Sequence, residues 1–134
     1  MKKVMCFGTF DKLHKGHEYY LRKAKELGDF LVVVVALDET VRQTKNRTPQ
    51  YSADERIRQL QKFVVADKVI AGNPGDKLKV VADEEPDIIC LGYDQVFFTD
   101  NLKEKLRQRG LKPEIVRIGA YMPELYKSSR LISQ

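Results

Sequence analysis

Apolar and polar positions follow one another along the chain in blocks that predict strands and helices in turn. Residues 30–37 form a continuous apolar run rich in valine, with no polar alternation. Such a run is typical of a strand that is covered on both faces. Residues 17–27 instead place apolar positions at helical spacing and are followed by Gly28, which indicates a helix with a glycine stop. The pattern favours a parallel sheet with helices packed on it.

The whole chain divides into alternating predicted strands and helices. Strands are predicted at residues 3–8, 30–37, 67–71, 87–91 and 113–118. Helices are predicted at residues 17–27, 38–44, 52–63, 76–84, 101–108 and 128–133, and an exposed, mobile loop at 45–50. Ser52 and Glu55 have the spacing of a capping box. This order implies right-handed crossovers and a Rossmann-like α/β fold: one domain over residues 1–134, with a parallel five-stranded sheet and helices on both faces.

The most informative motif lies between the first predicted strand and the first predicted helix. Both histidines of the chain, His14 and His17, fall in this turn. Free backbone N–H groups and the helix dipole favour an anion there. Each imidazole can donate a hydrogen bond to a phosphate oxygen, and Gly16 allows a close backbone approach. The turn therefore predicts a phosphate-handling site.

Two alternatives for the histidines are a metal site and a purely structural role. The zinc-binding helix motif spaces its histidines four apart with a glutamate between them, whereas here they are three apart with Lys-Gly between. No third histidine exists in the chain. We therefore expect no metal ligands from the protein at this turn.

Composition narrows the classes of function. The net charge of +5, with basic clusters at residues 42–47 and 103–112, suits an enzyme that gathers phosphates. Aromatic residues do not interleave with the basic runs, so we expect no nucleic-acid partner. No apolar run reaches transmembrane length and no secretory signal is visible, which predicts a cytoplasmic protein without a membrane partner. Cys6 and Cys90 have apolar neighbours and are predicted to be buried, free thiols.

The residues Gly8-Thr9-Phe10-Asp11 and Leu13-His14-Lys15-Gly16-His17 resemble the signature of the HxGH nucleotidyltransferases. Within that superfamily the chain looks most like the archaeal FAD synthases, through residues 36–41, 86–95 and 109–118 and the Ser128-Ser129 pair. The resemblance implies attack of a substrate phosphate on the α-phosphorus of a nucleoside triphosphate, with release of pyrophosphate. It also implies ATP and FMN as substrates, a divalent metal such as Mg²⁺ bound with the nucleotide, and relatives that are often homodimers.

The resemblance also assigns roles to individual residues. His14 and His17 are the expected catalytic residues. The expected nucleotide contacts are Thr9, Phe10, His14, Lys15, Gly16, His17, Asp94, Tyr121, Ser128 and Ser129. Candidates for the substrate or a phosphate are Asp11, Lys45, Arg56 and Arg130. Phe10 could instead be a core ring, Asp11 a turn cap, Lys45 a solvated charge and Asp94 a helix cap.

One segment departs from the cytidylyltransferases. Those enzymes carry an Arg-Thr pair and an Ile-Ser-Thr-Thr motif, where this chain has Tyr126-Lys127-Ser128-Ser129-Arg130. Lys127 or Arg130 is expected to replace the missing arginine as the clamp on the γ-phosphate. The leading hypothesis is FAD synthesis from ATP and FMN. The alternatives are a related transferase, such as one joining CTP and glycerol-3-phosphate, and a non-catalytic nucleotide sensor.

Overall fold

The computed structural model describes residues 1–45, 48–63, 65–76, 78–92 and 102–119. Within these ranges the chain forms five strands, which are β1 (Lys3–Gly8), β2 (Phe30–Val35), β3 (Lys68–Ala71), β4 (Ile88–Gly92) and β5 (Glu114–Ile118). It also forms five helices, which are α1 (Lys15–Glu26), α2 (Asp38–Lys45), α3 (Ala53–Gln61), α4 (Lys79–Glu84) and α5 (Leu102–Gln108). The strands are parallel and lie in the order β3-β2-β1-β4-β5.

The sheet is covered on both faces. Side chains from alternate positions of β1 and β2 join two separate cores. Val4 and Cys6 of β1 pack with Leu21 of α1 and Leu60 of α3 on one face. Met5 faces the other way and packs with residues of α4 and α5, among them Val81 and Leu106. This arrangement explains the valine-rich run and confirms the predicted Rossmann-like α/β fold.

Most element bounds differ from the sequence prediction by one to three residues. β2 ends at Val35, two residues earlier than predicted, and the N–H of Ala36 makes the last bond to β1, with the carbonyl of Gly8 (2.9 Å). α4 begins at Lys79 instead of residue 76, since the carboxylate of Asp76 accepts the N–H of Leu78 in a turn. α1 begins at Lys15, two residues earlier than predicted. The capping box of Ser52 and Glu55 is confirmed, and α3 follows it. The predicted helix at 128–133 lies outside the described residues.

The strand order reverses between β1 and β4, which is where ligands bind in sheets of this class. The pairing of these two strands runs from Val4 opposite Ile88 to Cys6 opposite Cys90. Beyond that point the Tyr20 hydroxyl lies between the two strands. Its oxygen is 3.0 Å from the Cys90 carbonyl and 3.4 Å from the Phe7 carbonyl. The strand order therefore predicts a ligand-binding crevice at the carboxyl ends of β1 and β4.

Helices in the described part of the chain are too short or too polar to cross a membrane.

Candidate active site

The two histidines form the N-terminal cap of α1. His14 is the N-cap residue, and its Nδ1 accepts the N–H of Gly16 at 3.0 Å. His17 reaches back, and its Nδ1 accepts the N–H of His14 at 3.3 Å. This is a capping box built from two imidazoles instead of the usual hydroxyl and carboxylate. It explains why the helix begins earlier than predicted.

The capping box fixes the tautomer of both rings. A nitrogen that accepts a hydrogen bond carries no proton, so each neutral ring must carry its proton on Nε2. The rings are stacked, with centroids 3.8 Å apart and planes at 21°. The site thus presents two imidazole donors side by side at a helix N-terminus, where an anion is already favoured.

Two glycines leave room for the rings of this turn. A Cβ added at Gly16 would lie 2.9 Å from Cε1 of His14. A Cβ added at Gly8 would lie 2.6 Å from the ring of Phe10. Both distances are shorter than carbon atoms tolerate, so each ring occupies its place because the neighbouring residue has no side chain.

Phe10 has a positive φ of 53°, a backbone conformation that costs a bulky residue roughly 1–3 kcal/mol. Its side chain is 2 % exposed and belongs to the core, as the core-ring alternative predicted. The ring also contacts His17 edge to face, with centroids 5.4 Å apart and planes at 65°. On its other side lies Tyr20, at a centroid distance of 6.4 Å. Phe10 therefore links the core to a histidine of the site.

Asp11 anchors a distant segment to the histidine turn. Its Oδ2 accepts the N–H of Gln50 at 2.7 Å, and its Oδ1 accepts the N–H of Tyr51 at 2.9 Å. These hydrogen bonds span about forty residues of sequence, so in them Asp11 acts as a long-range anchor and not as the local turn cap that the alternative predicted. In the loop predicted at 45–50, Thr48 and Gln50 are exposed as expected, whereas Pro49 is buried. The predicted mobility of this loop stays a prediction.

Arg56 requires a correction. As a candidate for the acceptor phosphate it should be accessible, but its side chain is 0 % exposed. The guanidinium donates four hydrogen bonds to described protein groups, three to backbone carbonyls and one to Asp38. Arg56 precedes Leu60 by one helical turn, on the apolar side of α3. The spacing of one helical turn from an apolar residue was the signal in the sequence that could have indicated a buried Arg56.

The structure brings the predicted residues of the β1–α1 turn together at one edge of the sheet. Thr9 is half-buried, and Lys15 is exposed at the first position of α1. Gly92 is the last residue of β4, the strand next to β1. The remaining predicted site residues lie outside the described side chains; these are Lys45, Asp94, Tyr121, Ser128, Ser129 and Arg130, together with Lys127.

Cys6 and Cys90 are buried, free thiols, as predicted. Burial raises the pKa of Cys90 to about 12 and raises the pKa of Cys6 well above its ordinary value. Burial also raises the pKa of Tyr20, with the two nearby thiols adding to the effect. All three groups are therefore neutral near pH 7, and neither thiol can act as a nucleophile.

Sequence comparisons agree with the site. The cytidylyltransferase-like family model matches residues 5–134. A protein named FAD synthase from Thermococcus kodakarensis is 46 % identical over 96 % of this chain and 84 % of its own length. The FAD synthase of Thermoplasma volcanium is 43 % identical over 96 % of this chain and 90 % of its own length.

A solved structure is similar over a comparable length. It is described as the lipopolysaccharide core biosynthesis protein of Thermoplasma volcanium, with a TM-score of 0.87 and 43 % identity, and the match covers 91 % of this chain and 99 % of that one. The family match over nearly the full length and the paired histidines at the β1–α1 turn lead to the same conclusion, that this chain belongs to the cytidylyltransferase-like family of nucleotidyltransferases.

Proposed function

We propose that this protein transfers AMP from ATP to FMN, giving FAD and pyrophosphate. The observation that carries the chemistry is the imidazole capping box, which holds the two histidine rings side by side at the N-terminus of α1. The choice of substrates is supported by the 46 % identity with a protein named FAD synthase over nearly the whole chain. Phe97 and Phe98 follow Asp94 in the sequence, and their rings are further candidates to lie near the flavin ring; both residues are outside the described part of the chain.

In this reaction the phosphate of FMN attacks the α-phosphorus of ATP, and the bond from that phosphorus to the bridging oxygen of pyrophosphate breaks. The nucleophile is already an anion, so the protein needs no serine or cysteine nucleophile. It must align the two phosphates and stabilise the charge that develops on the five-coordinate phosphorus. The Nε2–H groups of His14 and His17 are proposed to supply this stabilisation.

The proposed role of the histidines has a direct consequence. Removal of one such donor typically costs about 2.7–4 kcal/mol of transition-state stabilisation, or about 100- to 1000-fold in rate. His14→Ala and His17→Ala should each lower kcat by this factor while circular dichroism shows a folded protein. Activity within about threefold of the parent in both variants would contradict the assignment.

A divalent metal is proposed to arrive with the nucleotide. Among the described residues, no group of three or more His, Cys, Asp or Glu side chains lies close enough to hold a metal ion. Asp11, the acidic residue of the turn, binds backbone N–H groups. Mg²⁺ typically keeps several waters and binds to substrate phosphates, where it would neutralise part of the triphosphate charge.

The experiment that tests the function is a substrate panel. The protein is incubated with Mg²⁺, with ATP or CTP, and with FMN, glycerol-3-phosphate or ethanolamine phosphate, and pyrophosphate release is measured. Release that requires ATP and FMN together would support the proposal, and release only from CTP with glycerol-3-phosphate would favour the alternative transferase. ATP bound without pyrophosphate release from any acceptor would favour the sensor. Homodimer formation stays a prediction, to be measured by light scattering.

A further inference from the structure

The buried Arg56 joins four backbone and side-chain acceptors at the carboxyl edge of the sheet. Its Nε donates to the carbonyl of Tyr51 (3.0 Å), and its Nη1 to the carbonyls of Thr9 and Ala36 (2.8 Å each). Its Nη2 donates to Oδ1 of Asp38 (2.6 Å). Thr9 follows β1, whereas Ala36 and Asp38 follow β2. One side chain therefore connects the ends of two neighbouring strands to the start of α3.

The peptide groups of Tyr51 extend this connection back to the histidine turn. The carbonyl of Tyr51 accepts from Arg56 (3.0 Å), and its N–H donates to Asp11 (2.9 Å). Arg56 also binds the carbonyl of Thr9 (2.8 Å). The contacts form a closed ring, in which Phe10 is the one residue between Thr9 and Asp11. Phe10 is thus held on both sides in its left-handed conformation.

The ring of Phe10 transmits this constraint to the site, because it lies edge to face against His17. His17 in turn stacks on His14 and accepts its N–H. We propose that Arg56 is a positioning residue for nucleotidyl transfer: through Thr9 and Phe10 it fixes the imidazole of His17 in the orientation that stacks on His14. The proposal rests on the function proposed for the two histidines.

Lysine cannot replace the arginine in this role, since one ammonium group cannot reach acceptors spread around a planar guanidinium fork. A misplacement of about 1 Å at a reacting group can cost about 100-fold in rate. We therefore expect Arg56→Lys to lower kcat by about 10- to 100-fold, with KM for ATP and FMN within about threefold of the parent, because the interaction affected is one of the transition state.

The test combines kinetics with the NMR signals of the imidazoles. The chain has two histidines, so long-range ¹H–¹⁵N spectra contain two rings and report the tautomer of each. Arg56→Lys is compared with Arg58→Lys, an exposed arginine on the same helix. Asp38→Asn, which weakens one contact of the guanidinium, serves as a milder second variant if Arg56→Lys does not fold. All measurements are made at a temperature where circular dichroism shows folded protein.

The expected result is a lower kcat and a shifted His17 signal in Arg56→Lys, a smaller change of both in Asp38→Asn, and neither change in Arg58→Lys. Parent-like kcat in the folded Arg56 and Asp38 variants would overturn the proposal. A lower kcat with unchanged imidazole signals would overturn it as well, since Arg56 would then act by another route. If His17→Ala keeps full activity, the proposed function of His17 fails, while the imidazole signals still show whether Arg56 positions the ring.

Discussion

Gly16→Ala should separate the stability of this protein from its activity. The added Cβ would lie 2.9 Å from Cε1 and 3.1 Å from Nδ1 of His14, so the imidazole must move. Gly16 is the second residue of α1, where alanine favours the helix by up to about 1 kcal/mol relative to glycine. Loss of the bond from the Gly16 N–H to the His14 ring costs about 1 kcal/mol, as is typical of a lost N-cap. The two terms oppose each other and nearly cancel.

The free energy of unfolding should therefore stay within about 1 kcal/mol of the parent, a change in Tm of less than about 5 °C. Turnover should nevertheless fall by about 10- to 100-fold, because the His14 donor is displaced from the phosphate. The assay measures pyrophosphate release and thermal unfolding on the same samples. Gly72→Ala is the matched control, since an added Cβ there has its nearest neighbours at 3.7 Å. Parent-like turnover in Gly16→Ala would show that the displaced His14 ring does not matter for catalysis, and an equal loss of activity in both variants would show that the effect is not specific to His14.

Three further predictions concern the buried thiols, the hydroxyl between β1 and β4, and an ion pair at the amino ends of β2 and β3. Cys6 and Cys90 should react slowly with iodoacetamide at pH 7 in the folded protein, because burial raises their pKa, and both should react after denaturation; fast labelling of the native protein would contradict this. Tyr20→Phe should lower the free energy of unfolding by about 1 kcal/mol, the net value of the lost hydrogen bond, and an unchanged urea midpoint would show that the hydroxyl does not bridge the strands. The hydrogen bond from Lys25 lowers the pKa of Asp67 in the folded protein. The Asp67 carboxylate therefore stabilises the fold above its unfolded pKa, and this stabilisation is lost as the pH falls through the lower, folded pKa. Asp67→Asn should be less stable than the parent at pH 7, and the difference in the free energy of unfolding should shrink towards pH 2.

The sequence pattern predicted the sheet well because a strand that is buried on both faces has apolar residues at consecutive positions of the sequence. The valines of β2 are apolar at consecutive positions, and both cores use them. The histidine turn was also visible, since the spacing of His14 and His17 is itself local. The start of α1 was misjudged because imidazoles at N-cap and N3 are not the usual capping residues.

The contacts that position the site were not predictable in the same way. Asp11 and Tyr51 are forty residues apart in sequence, and nothing in either segment indicates that they meet. The positive charge of Arg56 suggests that it binds a phosphate. Its position on α3 instead buries the side chain, and the guanidinium donates hydrogen bonds to backbone carbonyls. Such contacts depend on how three loops converge at one edge of the sheet, which is a property of the folded chain.

The most direct test of the account is a measurement of both products from FMN and ATP. The protein is incubated with Mg²⁺, FMN and ATP; FAD is quantified by chromatography with fluorescence detection, and pyrophosphate by a coupled assay on the same sample. FAD and pyrophosphate should form in equal amounts, and both should fall together in His14→Ala. No FAD from FMN and ATP, under conditions where CTP and glycerol-3-phosphate release pyrophosphate, would contradict the proposed function.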